Sequence, residues 1–167
     1  MSARDALLLP DSDLLRKDCD ADLRLFRSVV PGVFAEGLRA EWERRRAAGE
    51  HCYTRVEDDV LVSYGWMIER QLHSWLSCVE QGFEFPPNSA VVYDLYTDPK
   101  FRQSCYYQVG LAKSVRDAAA VPGTEWIYVT VLAGDRVPRW WVERLGFAYV
   151  CSLYYKRLLW KTKKWQS

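Results

Sequence analysis

The stretch from Ser89 to Ala119 gathers the residues best placed to do chemistry. Asp94 is the only carboxylate in the run Ala90 to Thr97, which is otherwise mostly β-branched, apolar or aromatic. Such a run predicts a strand. Strand alternation places Asp94 on one face with Val92 and Tyr96. A carboxyl buried there is held above its usual range and becomes a usable base. The competing reading is a structural Asp met by backbone N–H groups or by an arginine. Asp98-Pro99 then stops the strand, because proline fixes φ and cannot donate to a ladder. Beyond it, Val109, Ala112, Val115 and Ala119 recur at helical spacing, with Lys113, Arg116 and Asp117 between them. The first amides of a helix lack intrahelical partners and attract anions. Arg102, Gln103, Ser104, Cys105, Tyr106 and Tyr107 stand at that start and form the candidate anion site. Cys105 reads as a thiol activated by the helix start or as a small filler.

The elements that must position these residues come from a chain of 167 residues. That length suits a single domain over 1–167, with 1–22 read as an N-terminal arm and 160–167 as a basic tail. The hydrophobic share of 49% is enough for a folded core. A net charge of +1 argues neither for nor against an anionic partner. The five cysteines are widely spaced with no C-x-x-C pair, which suits a reducing compartment rather than a disulfide framework or a zinc site. With only His51 and His73, no metal centre is expected. The apolar run Ala6 to Leu9 is too short and too flanked by charge for a signal peptide. No run approaches the roughly 20 apolar residues of a membrane span. A cytoplasmic protein is the expectation.

In chain order, Leu23 to Val30 reads as a first strand and Val33 to Ala48 as a helix. Phe34, Leu38 and Trp42 share one face of that helix, and Glu41 with Arg45 forms an i,i+4 ion pair on the other. Gly49 ends it. Cys52 to Val56 and Val60 to Met67 form a hairpin across Glu57-Asp58-Asp59. Residues 68 to 88 fit either a helix or a strand, and Phe85-Pro86-Pro87-Asn88 breaks the chain before the central strand. Trp126 to Leu132 reads as a buried strand. Asp135 is the N-cap of a helix from Arg136 to Leu145 that Gly146 closes. Phe147 to Leu159 returns as a strand. The order implies an α/β (α+β) fold: a mixed central sheet, helices on both faces, and one parallel strand pair with a right-handed crossover.

Leu95-Tyr96-Thr97-Asp98-Pro99 followed by Arg102-Gln103-Ser104-Cys105-Tyr106-Tyr107 resembles the acyl-CoA-binding core of the GNAT N-acetyltransferase superfamily. There, a strand ending near L-Y-x-x-P leads into a loop [Q/R]-x-x-G-x-[G/A] that opens a helix. Tyr64-Gly65-Trp66, Thr130-Val131-Leu132 and Leu145-Gly146-Phe147 fit in order, and the resemblance spans roughly Phe34 to Leu159. Two departures stand out. Cys105 and Tyr107 occupy the loop's glycine positions, where glycine lets the backbone approach phosphate closely. Val142 stands where many members carry a Tyr that protonates the departing thiolate.

The resemblance implies an N-acyltransferase using acetyl-CoA or another acyl-CoA as co-substrate, without a metal. Leu95, Tyr96 and Thr97 would line the pantetheine arm and thioester, Arg102 to Tyr107 would face the pyrophosphate, and Asp135 would take a position at the last helix start. Asp94 would be the general base. Tyr154, with Tyr149 and Tyr155 as alternatives, would stand in for the missing acid. The acceptor would be a small amine, either an amino sugar or an amino acid derivative. Two alternatives remain: an inactive GNAT-fold binding or regulatory protein, and an acyltransferase whose donor is an acyl carrier protein docked on the C-terminal lysines. No nucleic acid is expected as partner, and a homodimer is compatible.

Overall fold

The first 27 residues are tied into the body rather than trailing as an arm. Helix α1 (Ala3–Ala6), strand β1 (Arg16–Lys17) and helix α2 (Asp20–Leu23) follow one another. Ala6, Leu15 and Leu23 are buried. Arg116 donates to the Leu7 and Leu9 carbonyls at 2.9 and 2.6 Å, which fastens the segment after α1 to a distant helix. Asp22 is buried, and its desolvation is offset by Arg16 at 2.6 Å and by the Thr54 hydroxyl. The expected strand from Leu23 is absent over the described part, since Leu23 ends α2. Residues 28–30 of that expectation lie outside the described residues. The structure, a computed structural model, describes residues 1–27, 35–76, 79–132, 134–158 and 161–167.

The remaining elements are α3 (Ala35–Ala47), β2 (His51–Glu57), β3 (Val60–Ile68), β4 (His73–Leu76), β5 (Gln81–Glu84), β6 (Ser89–Thr97), α4 (Tyr106–Ala120), β7 (Trp126–Val129), α5 (Arg136–Arg144), β8 (Leu153–Leu158) and β9 (Lys161–Gln166). The ambiguous stretch before the central strand resolves into the β4–β5 hairpin. Asp58 and Asp59 take positive φ, 47° and 57°, the twist that a two-residue hairpin turn between β2 and β3 needs. The main sheet has the order β1-β2-β3-β6-β7, with only β6 and β7 parallel. β7 stops at Val129, short of the expected Leu132. The final strand begins at Leu153 rather than Phe147, and the expected basic tail is itself a strand, β9, paired with β8.

Strand alternation feeds two cores. On one face Tyr53, Met67, Ala90, Val92 and Ile127 meet Leu111, Val115 and Ala118 of α4, with Val142 of α5 and Ala6 of α1 at the edges. On the other, Cys52, Leu61, Tyr64 and Trp66 meet Leu23, Phe26 and Trp42. The aromatic excess is spent largely here. Phe26 and Trp42 pack edge to face at 5.3 Å, Trp42 and Tyr64 at 5.1 Å, and Tyr64 stacks on Tyr96 at 5.0 Å.

Candidate functional site

Two features of β6 build the site. The first is where its pairing with β7 ends. The register runs from Ser89 opposite Trp126 to Val92 opposite Val129, and the last bond is Thr130 N–H to the Val92 carbonyl at 3.1 Å. Tyr93 to Thr97 continue along β3 alone, so the sheet opens on the β7 side of these residues.

The second is a bulge. Tyr64 pairs with Tyr96, but Trp66 pairs with Tyr93, so β6 spends one residue more than β3 over this span. Asp94 takes φ +49°, the left-handed region that Asp tolerates better than most residues. Gly65 lies in the span opposite. A Cβ there would come within 2.5 Å of Leu95 Cδ2, so a side chain at 65 would displace Leu95.

The bulge overturns the expected alternation. Val92 and Leu95 point to the α4 core, while Tyr93 and Tyr96 belong to the α3 face. Asp94 is on that α3 side beside Tyr93, not beside Val92. Its side chain is 38% exposed rather than buried. Arg45 NH1 donates to Asp94 Oδ2 at 2.6 Å, and Arg45 Nε donates to Glu41 at 3.0 Å. The guanidinium lies over the rings of Trp66 and Tyr93, 5.1 and 5.0 Å from their centroids. Tyr93 in turn donates to Glu50. Burial, reinforced by that carboxylate, pushes the Tyr93 phenol well above its ordinary value. Asp94 Oδ1 has no hydrogen-bond partner among the described residues.

Beyond Thr97, the Asp98 side chain caps a short 3-10 turn, Pro99–Phe101, by accepting from Lys100 N–H at 2.9 Å. The chain then enters α4. Cys105 is its N-cap residue, exposed, with φ −78° and no side-chain cap bond. Position 105 therefore holds an ordinary backbone conformation and does not need glycine's freedom. Among the described residues, no hydrogen bond is made by the N–H groups of Gln103, Cys105, Tyr106, Tyr107 or Gln108. They form an amide array at the helix start, beside the exposed Arg102.

The two tyrosines leave this array clear in different ways. Tyr106 reaches back to the end of the β2–β3 hairpin, where its hydroxyl donates to Glu57 and Arg55 covers its ring at 5.6 Å. Tyr107 turns inward and packs against the α4 core. Its hydroxyl is buried without a partner. Burial first, and the nearby charge of Asp135 second, push this phenol up to about 12. Asp135 holds the N-cap position of α5 without making a side-chain cap bond.

The structure thus places Asp94, Leu95, Tyr96 and Thr97 on the part of β6 that has run past its pairing with β7, with Arg102–Tyr107 following after the Pro99–Phe101 turn and Asp135 near Tyr107. It does not bring Tyr154 there. Tyr154 is on the β8–β9 hairpin, stacked on Trp165 at 5.1 Å, with no hydrogen bond, ion pair or aromatic contact to β6 among the described residues. Of the alternatives, the Tyr155 hydroxyl donates to Glu80 and that of Tyr149 to Ser152. Sequence reasoning missed Arg45 as part of this site. Its i,i+4 spacing from Glu41 marked only a surface pair, and no local signal ties it to a residue 49 positions away.

Neither a family model nor a curated protein matches the sequence. Solved structures do match the fold. Aminoglycoside N-acetyltransferase AAC(6')-Iy, in complex with the bisubstrate analog CoA-S-monomethyl-acetylneamine, aligns with a TM-score of 0.61 at 17% identity, covering 89% of this chain and 96% of that one. The apo aminoglycoside 6'-N-acetyltransferase AAC(6')-IG from Acinetobacter haemolyticus gives 0.58 at 13% identity, covering 89% and 97%. Glucosamine-6-phosphate N-acetyltransferase from Arabidopsis thaliana gives 0.54 at 15%, covering 87% and 97%. With the opened parallel pair, the bulged strand and the helix that follows it, these likenesses establish that the chain has the GNAT acetyltransferase fold.

Proposed function

We propose that this protein transfers an acetyl or other acyl group from acyl-CoA to the amine of a small acceptor. The observation that carries the reading is the stretch Tyr93 to Thr97 of β6, which has no β7 partner, holds the bulge at Asp94 and is followed in the chain by the amide array of α4. The residues present fit the donor. The array supplies N–H groups and Arg102 a cation for a pyrophosphate. Cys105 and Tyr107 do not cover it, despite standing in for glycines. The free edge of β6 offers backbone groups to an extended arm. An acyl-CoA held there supplies an activated thioester carbonyl.

The acceptor is assigned to the α3 side, where Asp94 projects. Arg45 fixes one oxygen of that carboxylate and leaves Oδ1 to receive a hydrogen from the incoming ammonium. Asp94 then acts as orienter and proton acceptor for the amine. Solvent is assigned the proton for the leaving thiolate, since among the described residues no tyrosine of the C-terminal hairpin makes a hydrogen bond or aromatic contact to β6. The solved enzymes that act on amino sugars support an acceptor of that kind over an amino acid derivative.

Calorimetric titration with acetyl-CoA and with free CoA tests the donor. Micromolar binding, followed by turnover in a screen of amino sugars, is expected. No heat and no thermal stabilisation at millimolar ligand would overturn the reading.

A further inference from the structure

After Glu143 the chain carries six Lys and Arg residues and no Asp or Glu, although its net charge is only +1. Four of those cations, Lys156, Arg157, Lys163 and Lys164, sit exposed on β8 and β9 and face in two directions. On one face Tyr155 is opposite Lys164 and Arg157 opposite Thr162. This face is docked on the β4–β5 turn. The Tyr155 hydroxyl donates to Glu80 at 3.2 Å, Lys164 Nζ donates to the Glu80 carbonyl at 2.6 Å, and Lys164 lies over the Trp75 ring at 5.7 Å.

The other face looks outward. Tyr154 is opposite Trp165 and Lys156 opposite Lys163. The two rings stack at 5.1 Å with planes 7° apart, and both are exposed, 36% and 38%. Lys156 and Lys163 are exposed and have no carboxylate partner among the described residues. The lysine pair does not help the hairpin fold, because like charges directly opposite each other weaken a strand pair. The stacked rings do support the pair, yet they leave much of their surface in water.

It does suit the boundary between water and an anionic bilayer. Tyr and Trp prefer the headgroup level, and lysines there are drawn to acidic lipid, each contributing about fivefold to partitioning. A nucleic-acid strand is less well served, because base stacking needs open ring faces. Here the Trp165 ring is stacked on Tyr154 and overlaid by Lys163 at 5.7 Å. We propose that the outward face of the β8–β9 hairpin attaches the protein peripherally to an anionic lipid surface.

Flotation of the full chain with vesicles of phosphatidylcholine, alone or mixed with phosphatidylserine, tests this independently of any acyl transfer. Binding is expected only to the mixed vesicles, and it should fall away near 1 M salt, where the screening length shrinks to about 3 Å. Lys156→Glu replaces the like-charge pair by an attractive one, so its melting temperature should hold or rise. Its partitioning should nevertheless drop about 25-fold, the effect of removing two charges' worth of attraction. Equal recovery with both vesicle types, or unchanged partitioning of Lys156→Glu, would overturn the proposal. So would binding to a single-stranded oligonucleotide without binding to acidic vesicles.

Discussion

Arg45 of α3 and Asp94 of β6 are 49 positions apart in sequence and 2.6 Å apart in space. The arginine is also braced by Glu41 and by the rings of Trp66 and Tyr93. A carboxylate on an exposed bulge would ordinarily sample many orientations. Here one oxygen is pinned by a planar donor that is itself clamped, so the other points in a defined direction.

If Asp94 serves the acceptor amine, Asp94→Asn should lower kcat by about 10²- to 10⁴-fold. The Kd for acyl-CoA should stay unchanged, because the donor is assigned contacts with backbone groups of β6 and with the amides and Arg102 at the start of α4, none of them through the Asp94 side chain. Steady-state kinetics beside calorimetric titration separates the two effects.

Arg45→Met removes both ion pairs and the cation–π contacts while keeping an apolar stem. A loss of about 1–2 kcal/mol in urea unfolding is expected. Activity should also fall, with Asp94 present but no longer oriented.

Arg102→Ala tests the other end of the site. Loss of one charge-assisted contact to phosphate should raise the Kd for acyl-CoA about tenfold or more. The melting temperature without ligand should not change, since Arg102 is exposed and makes no ion pair among the described residues.

Tyr107→Phe is expected to stabilise. The hydroxyl is buried without a partner, so its removal returns up to about 1 kcal/mol. That corresponds to roughly 2–4 °C in melting temperature for a chain of this size. Unchanged turnover in the same variant would confine Tyr107 to packing.

Glu41 sets an acid limit. Hydrogen bonds from Arg44, and next from Arg45, hold its carboxyl down at about 2 against an ordinary 4.5. Its contribution is complete above the ordinary value and is lost as pH falls from there toward 2. Screening at this partly exposed site limits the gain to about 0.3–1 kcal/mol. The melting temperature of the wild type should therefore fall more steeply than that of Glu41→Gln below about pH 4.5.

The strand–turn–helix unit from Ser89 to Ala120 was legible because each of its signals is local: an apolar run, an Asp-Pro stop and helical spacing at Val109, Ala112 and Val115. The β2–β3 hairpin was legible for the same reason. The N-terminal segment was not, because Leu15 and Leu23 are buried by contacts with distant strands and carry no sustained period. The C-terminal lysines read as a solvated tail, although lysine stems tolerate an exposed strand well enough for β9 to form. Within the site, the loop at Arg102–Tyr107 could be placed from its position after the Asp-Pro stop. The face of Asp94 could not, since period-two alternation fails wherever a strand gains a residue, and only the pairing partner reveals that gain.

That extra residue separates scaffold from chemistry. Were residue 94 excised, Thr97, Tyr96, Leu95, Tyr93, Val92 and Val91 would stand in unbroken succession opposite Ser63 through Ile68, with every remaining side chain on its present face. The sheet has no use for Asp94; its ladder would be more regular without it. A single-codon deletion there should give a protein that folds and still binds donor, with the amine-handling step alone removed.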